Sequence, residues 1–235
     1  MKILSVYNSY FLDFRANFLH FARLVGIQAA DVDFLRSKMG ISEFGSTNFR
    51  EITLEKIGYI HAELAKGNDV VFFDTDIVLL KNPIPSFVEK LKDFDIVFQD
   101  DQNSFEVNDQ SQRIVNTGVM AIKSNEKTLQ LFDPKSKHAQ ELGLHENDQH
   151  LLNKRIHEIP INYHILVAEE YPCGKVWYSK PSFDPVLVHY NWIAGKKNKI
   201  KKMRSYDHWE VSSLLTGYSW FLGKLKSLRA KIIGR

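Results

Sequence analysis

Lys2 is followed by an apolar stretch, Ile3 to Tyr7, bounded by the turn formers Asn8 and Ser9. That pattern predicts a short buried strand at the start of the chain. Phe11, Phe14, Phe18, Phe21, Leu24 and Val25 then recur at three- and four-residue spacing, which predicts a helix with one apolar face. Residues 28–50 hold no clear period: Val32 to Lys38 reads as a turn of helix at most, and Gln28 to Phe34 as a poor strand interrupted by Asp31 and Asp33. A helical period returns at Thr53, with Leu54, Ile57, Ile60, His61 and Leu64 on one face and Gly67-Asn68 as its stop. Val70-Val71-Phe72-Phe73 is a continuous apolar run, suited to a strand covered on both faces.

Pro83 and Pro85 break the chain next, and a short helix is expected to start near Pro85. Asp95 to Gln99, Gly118 to Ile122 and Val186 to Tyr190 read as strands, Asn125 to Phe132 and Glu146 to Ile156 as helices. Alternating strands and helices predict an α/β domain with a mostly parallel sheet. The 235 residues suffice for one such domain. It is assigned to residues 1–205, with 206–235 as a basic amphipathic helical tail. In that tail Phe221, Leu225, Leu228 and Ile232 share a face near Trp220, and Lys224, Lys226, Arg229, Lys231 and Arg235 supply the polar side.

Composition narrows the classes. With 44% hydrophobic and 25% charged residues the chain reads as globular, not disordered. A net charge of +3 is too small to imply nucleic-acid binding, although positive residues crowd into Lys196 to Arg204. Cys173 is the only cysteine, so no intrachain disulfide is expected and a reducing compartment is the default. No apolar run approaches the roughly 18 residues of a membrane span, and the opening residues do not resemble a signal peptide. The expectation is a cytoplasmic protein whose tail either makes peripheral contact with a membrane surface or packs its apolar face on the domain.

The stretch that carries chemistry is Val70 to Leu80, VVFFDTDIVLL. Asp74 and Asp76 fall where a central strand reaches its C-terminal end, the edge at which open α/β sheets bind ligands. Side chains two apart in extended chain point the same way, so both carboxylates are expected to face one hard divalent cation. A strand followed by Asp-x-Asp also occurs in haloacid-dehalogenase-like phosphatases, where the first aspartate, here Asp74, is a nucleophile. The Gly-Asp motif of those enzymes is not found in this chain.

The order of motifs resembles the nucleotide-diphospho-sugar transferase family, which includes plant cell-wall α-xylosyltransferases and arabinosyltransferases. The resemblance runs from Thr53 to Arg204. It rests on a lysine-containing helix, the strand with Asp-x-Asp and Asn82-Pro83, then Gln99-Asp100-Asp101, Asn116-Thr117-Gly118, Asp148-Gln149 and His189-Tyr190-Asn191-Trp192 with Gly195 and Lys199. It implies a GT-A fold and a glycosyltransferase that is metal-dependent and retaining. The implied donor is a UDP-sugar, the cofactor Mn²⁺ or Mg²⁺, and the acceptor a glycan or glycoconjugate.

The same resemblance implies that Asp74, Asp76 and His189 hold the metal and that Asp148 and Gln149 act at the transferred sugar. It makes Gly195 and Lys199, with Lys196 as a substitute, contacts of the diphosphate. Tyr7 and Asn8 are implied at the base and ribose, Lys56 and Thr75 at the donor, and Asp100, Asn116 and Gly118 around the sugar pocket. Two plainer readings stand beside it: Lys56 as an exposed helix lysine, and Lys196 to Arg204 as a solvated helix face. A non-catalytic glycan- or nucleotide-binding module would keep the same fold.

Overall fold

A computed structural model describes residues 1–40, 47–101, 114–143, 146–179 and 184–233. The opening strand and helix form as the periodicity predicts: β1 spans Lys2–Tyr7 and α1 spans Leu12–Leu24. Phe14, Phe18 and Phe21 are buried, whereas Leu24 at the helix end is exposed. Where a turn of helix was expected, Val32–Arg36 is strand β2, parallel to β1. Its pattern is obscured because β2 is a sheet edge, paired on one side only, so polar Asp33 and Arg36 are tolerated.

Helix α2 (Thr47–Leu64) starts earlier than its apolar period suggests, and Gly67 closes its end with φ +81. Strands β3 (Val70–Phe73) and β4 (Ile77–Leu79) flank the Asp-x-Asp, and α3 (Ile84–Lys90) follows the proline pair. Then come β5 (Ile96–Asp100), β6 (Val115–Ile122), α4 (Glu126–Leu131), α5 (Lys137–Gln140) and α6 (Asp148–Arg155). The chain continues with β7 (Tyr163–Ile165), α7 (Gly174–Ser179), β8 (Leu187–His189), α8 (Lys196–Arg204) and α9 (Ser213–Ile233). Three-residue β4 and β7 were not anticipated, because such runs are too short to show a period.

Among the described residues the main sheet has the order β2-β1-β3-β6-β5-β7. β6 alone runs antiparallel to its neighbours. One apolar cluster, built from Leu4, Ile57, Ile60, Phe72, Phe98, Leu131 and Leu152, fills one side of the sheet, and another, built from Phe18, Phe73, Phe87 and Val119, fills the other. Both sides of β3 are therefore covered, as its unbroken apolar run requires. The antiparallel pair β4–β8 forms a separate ribbon, held through Val78, Val188 and Tyr190 against Phe14, Trp177, Met203 and Trp209.

Helix α9 sits on the domain through Ser219 and Gly223. A Cβ at Gly223 would lie 2.6 Å from the Tyr10 ring, so only glycine allows this approach. Leu214, Tyr218, Trp220 and Phe221 of the same helix remain exposed. The side chains of Leu228, Arg229, Lys231, Ile232 and Arg235 lie outside the described residues. No described helix is long and apolar enough to cross a membrane.

Candidate active site

Parallel β1, β3 and β5 end at one edge of the sheet, and antiparallel β6 begins there. This topology alone gathers Tyr7 and Asn8, Asp74, Asp100 and Asp101, and Asn116 to Gly118 along one rim. Asn116, Thr117 and Gly118 lie inside β6, which begins at Val115 rather than at Gly118 as its apolar run predicts.

Asp74 and Asp76 converge by a route other than the extended one. Asp74 N donates to Gly118 O at 2.8 Å, and Ile77 N donates to Asp74 O at 3.2 Å, so the Asp-x-Asp is a tight turn between β3 and β4. The ribbon then brings in the third group: Ile77 faces His189 in its register, and Tyr190 N donates to Asp76 O at 3.0 Å. His189 Nε2 lies 3.4 Å from Asp76 Oδ1 and 3.9 Å from Asp74 Oδ2. One ligand atom from each of the three residues lies within 4.8 Å of the others.

Gln99 fixes the state of that imidazole. The strand pairing shifts between Phe98 and Gln99, a bulge of the kind that re-aims a side chain. Gln99 Nε2 donates to Tyr171 O at 3.0 Å, so its Oε1 is left to accept from His189 Nδ1 at 2.8 Å. A proton is thereby held on Nδ1, which leaves Nε2 as the ring nitrogen that faces the two carboxylates. Three electron-pair donors aimed at one point suit a divalent cation, with Gln99 as the outer partner that metal-bound histidines ordinarily have. Gln99 carried no assigned role in the sequence; the signal was a glutamine inside an otherwise apolar strand, just before Asp100-Asp101.

Gly118 forms the floor of the site. A Cβ there would lie 2.3 Å from His189 Cε1 and 2.8 Å from Asp74 Oδ2, so the imidazole seats directly on its backbone. Desolvation by the surrounding protein raises the Asp74 pKa, aided by Asp76 and only partly opposed by Lys56 and His189. At Asp76 the same desolvation is outweighed by Lys199 and His189, and its pKa falls well below the usual carboxylate range.

The lysines divide sharply. Lys199 Nζ lies 2.5 Å from Asp76 Oδ2, at the mouth of the cluster. Lys196 is turned away. Its ammonium is buried against Asp13 at 2.8 Å, bonds the Tyr10 carbonyl and Ser219 Oγ, and lies 4.6 Å from the Tyr10 ring centroid. It therefore ties α8 to α1 and α9, and is no substitute for Lys199. Gly195, at φ +82, begins α8.

Nor is Lys56 an exposed helix lysine. It is 4% exposed, 2.7 Å from Asp148 Oδ2 and 3.5 Å from Asp74 Oδ1, and it donates to Thr117 O at 2.7 Å. Burial alone would lower its pKa, but Asp148 and Asp74 more than offset this and hold it charged. Asp148 does not cap α6, since Asn147 does so; it instead accepts from Lys56 and from Thr117 Oγ1 at 2.7 Å. Gln149 donates to Asp101 Oδ2 at 3.0 Å and accepts from Asn116 Nδ2 at 3.1 Å, while Asn116 also donates to Asp101 Oδ1 at 2.6 Å. Lys56 thus joins the Asp74–Asp76–His189 cluster to a polar wall of Asp148, Thr117, Asn116, Gln149 and Asp101.

Thr75 is buried in the turn between the two aspartates, and Asp100 is buried at the end of β5. Tyr7 packs edge-on to Phe34, with the Arg15 guanidinium 5.3 Å from its ring centroid. The Asn8 carboxamide accepts from Tyr10 N and Phe11 N and donates to Gly40 O at 2.7 Å, so it shapes the turn after β1.

A family described as nucleotide-diphospho-sugar transferase matches residues 21–203. A UDP-galactose:fucoside alpha-3-galactosyltransferase of Dictyostelium discoideum is 23% identical over 191 residues, which is 72% of this chain but only 29% of that protein. Among solved structures, a glycosyltransferase involved in glycosylation of the major capsid of PBCV-1 aligns with 14% identity and a TM-score of 0.58, covering 87% of this chain and all of the other. The galactosyltransferase LgtC, solved with donor and acceptor sugar analogs, aligns with 12% identity and a TM-score of 0.57, covering 93% of this chain and all of the other.

Proposed function

Because this chain belongs to the nucleotide-diphospho-sugar transferase family and has the GT-A glycosyltransferase fold, we propose that it transfers a sugar from a UDP-sugar to a glycan or glycoconjugate hydroxyl, with retention at the anomeric carbon. The observation that carries this reading is the convergence of Asp74, Asp76 and His189 within 4.8 Å, with Lys199 already against Asp76. The phosphatase alternative falls with the family assignment. The UDP-galactose named for the Dictyostelium relative supports UDP as the nucleotide and a hexose as the sugar.

Asp74, Asp76 and His189 would hold Mn²⁺ or Mg²⁺, the imidazole favouring Mn²⁺. When bound, the ion supplies a Lewis acid and a template for the leaving diphosphate. Lys199, beside Asp76, would neutralise charge on the departing diphosphate. Gly195, lacking a Cβ, lets backbone approach the same phosphates.

On the sugar side, Asp148 and Gln149 face the anomeric region and stabilise positive charge developing there. Lys56 holds Asp148 in place and keeps the aspartates from repelling one another. Asp100, Asn116 and Gly118 bound the sugar pocket, Thr75 lies between the metal ligands, and Tyr7 with the turn set by Asn8 receives the base and ribose. The exposed Leu214, Tyr218, Trp220 and Phe221, beside Lys224, give α9 the character of a helix that rests on an anionic membrane surface.

A thermal-shift screen of nucleotide sugars with and without Mn²⁺ tests the proposal. The expected result is a UDP-sugar response that needs Mn²⁺ and disappears in Asp76→Ala and His189→Ala. If both variants respond like the parent, the metal assignment is wrong. Product NMR would report the anomeric configuration, and an inverted product would refute retention. For the tail, sedimentation with phosphatidylserine-containing but not pure phosphatidylcholine vesicles is expected, and equal recovery with both would sink the membrane contact.

A further inference from the structure

Trp192 is the one tryptophan among the described residues with a left-handed backbone, at φ +59. A bulky residue is rarely found there, and such strain persists only where the surroundings enforce it. They do so here. The side chain of the preceding Asn191 accepts from Gly174 N at 2.6 Å and donates to Asp101 Oδ1 at 3.4 Å, and the Asn191 backbone carbonyl accepts from Tyr178 Oη at 2.9 Å. A Cβ on Gly174 would lie 2.2 Å from Asn191 O, so α7 has glycine where this loop must tuck in.

What is gained is not burial. Trp192 stays 56% exposed, with the Lys175 ammonium 5.6 Å from its ring centroid. The backbone that carries this exposed indole is held through Asn191, which immediately precedes it. Its location is equally specific. Three peptide steps separate it from His189, at most about 11 Å between Cα atoms, and Asn191 ties its loop to the wall of Asp101, Asn116 and Gln149. The indole is thus carried on a loop that borders both the Asp74–Asp76–His189 cluster and that polar wall.

We propose that Trp192 is the acceptor platform, its indole stacking on the apolar face of the acceptor's terminal pyranose ring. This rests on the transferase reading and adds the acceptor's chemistry to it. A flat indole gives contact area at little entropic cost, and a pyranose offers one face of C–H groups to match it. Lys175, with its ammonium 5.6 Å from the ring centroid, would offer a donor to the acceptor's hydroxyls beside the stacked face.

The direct test is indole ¹⁵N–¹H NMR of the full chain with Mn²⁺ and UDP present, titrated with methyl β-glycopyranosides of galactose, glucose and xylose. The Trp192 signal, assigned by its absence in Trp192→Phe, is expected to shift saturably with at least one of them. In turnover assays Trp192→Gly, which relieves the backbone strain while removing the ring, is expected to raise the acceptor KM about tenfold and to affect it more than the donor KM. Trp192→Phe should fall between that variant and the parent. If no glycoside moves the Trp192 signal, or if the glycine variant keeps the parent's acceptor KM, the platform is refuted. A parent that binds Mn²⁺ and UDP normally while its Trp192 signal stays still refutes only the platform. A parent that binds neither refutes the transferase reading and the platform with it.

Discussion

Gly118→Ala adds a single methyl to the floor of the site, and its consequence can be worked through from the coordinates. The new Cβ would lie 2.3 Å from His189 Cε1, 2.8 Å from Asp74 Oδ2 and 3.0 Å from Asn116 Oδ1. Ordinary contact would require the imidazole to retreat by about 1 Å. It has little freedom to do so, because Gln99 holds Nδ1 at 2.8 Å and β8 holds its backbone against β4. Overpacking of this kind costs about 1–3 kcal/mol, which for a domain of this size lowers Tm by about 2–12 °C. A 1 Å displacement of one ligand is also expected to cost on the order of 100-fold in turnover. The assay is thermal denaturation of Gly118→Ala with and without Mn²⁺ and UDP, beside His189→Ala and the double variant. In the His189→Ala background the alanine should cost at least about 1 kcal/mol less, since the principal clash is gone. A Gly118→Ala protein with the parent's Tm and the parent's Mn²⁺ response would show that His189 does not seat on this backbone.

Further consequences follow from the same coordinates. Gln99→Leu removes the acceptor for His189 Nδ1–H and is expected to weaken Mn²⁺ binding about 10–100-fold while the fold is kept; unchanged affinity by calorimetry would remove Gln99 from the site. Burial pushes Asp13 up and Lys196 down, each only partly offset by the other, so the pair is expected to add little net stability. Lys196→Met alone should cost about 3–5 kcal/mol by stranding a buried carboxylate, whereas Asp13→Leu with Lys196→Met should recover most of that, as read by urea unfolding. His208, packed against Trp177 and bonded to the Tyr190 hydroxyl at 2.7 Å, has its pKa lowered by burial to about 4. The unfolded chain therefore takes up the proton first as pH falls. The stability is complete above about pH 6.5 and is lost between there and pH 4, to a limit of about 3 kcal/mol. The stability difference between the parent and His208→Gln should shrink by that amount over this window, and a difference independent of pH would contradict it.

The legibility of this protein in its sequence follows contact order and burial. Val70 to Asp76 could be read directly, because an apolar run ending in two carboxylates lies in one contiguous segment. His189 could not be derived that way. Its place beside Asp76 is made by β4 and β8, two three-residue strands more than a hundred positions apart, and only the resemblance pointed to it. Lys56 and Lys196 look like surface residues because charge is the only thing a sequence shows of them, while the carboxylates that allow their burial, Asp148 and Asp13, lie in distant elements. Within Lys196 to Arg204 the first lysine turns into the core to meet Asp13 and the one a helical turn later meets Asp76, but the run of like charges hides that division. β2 was legible only as a poor strand from Gln28 to Phe34, beside a competing turn of helix, because an edge strand need not be apolar; the Asp-x-Asp turn was missed because extended and turned chain can bring the same two carboxylates together.

The central claim is that one divalent cation is bound by two carboxylates and the Nε2 of His189. Pulsed EPR of Mn²⁺ bound to the protein with UDP reads this directly, since nitrogen coordinated to manganese modulates the echo. A modulation from one imidazole that vanishes in His189→Leu is the predicted result. Bound Mn²⁺ with no nitrogen modulation, or with the same modulation in the leucine variant, would contradict the account.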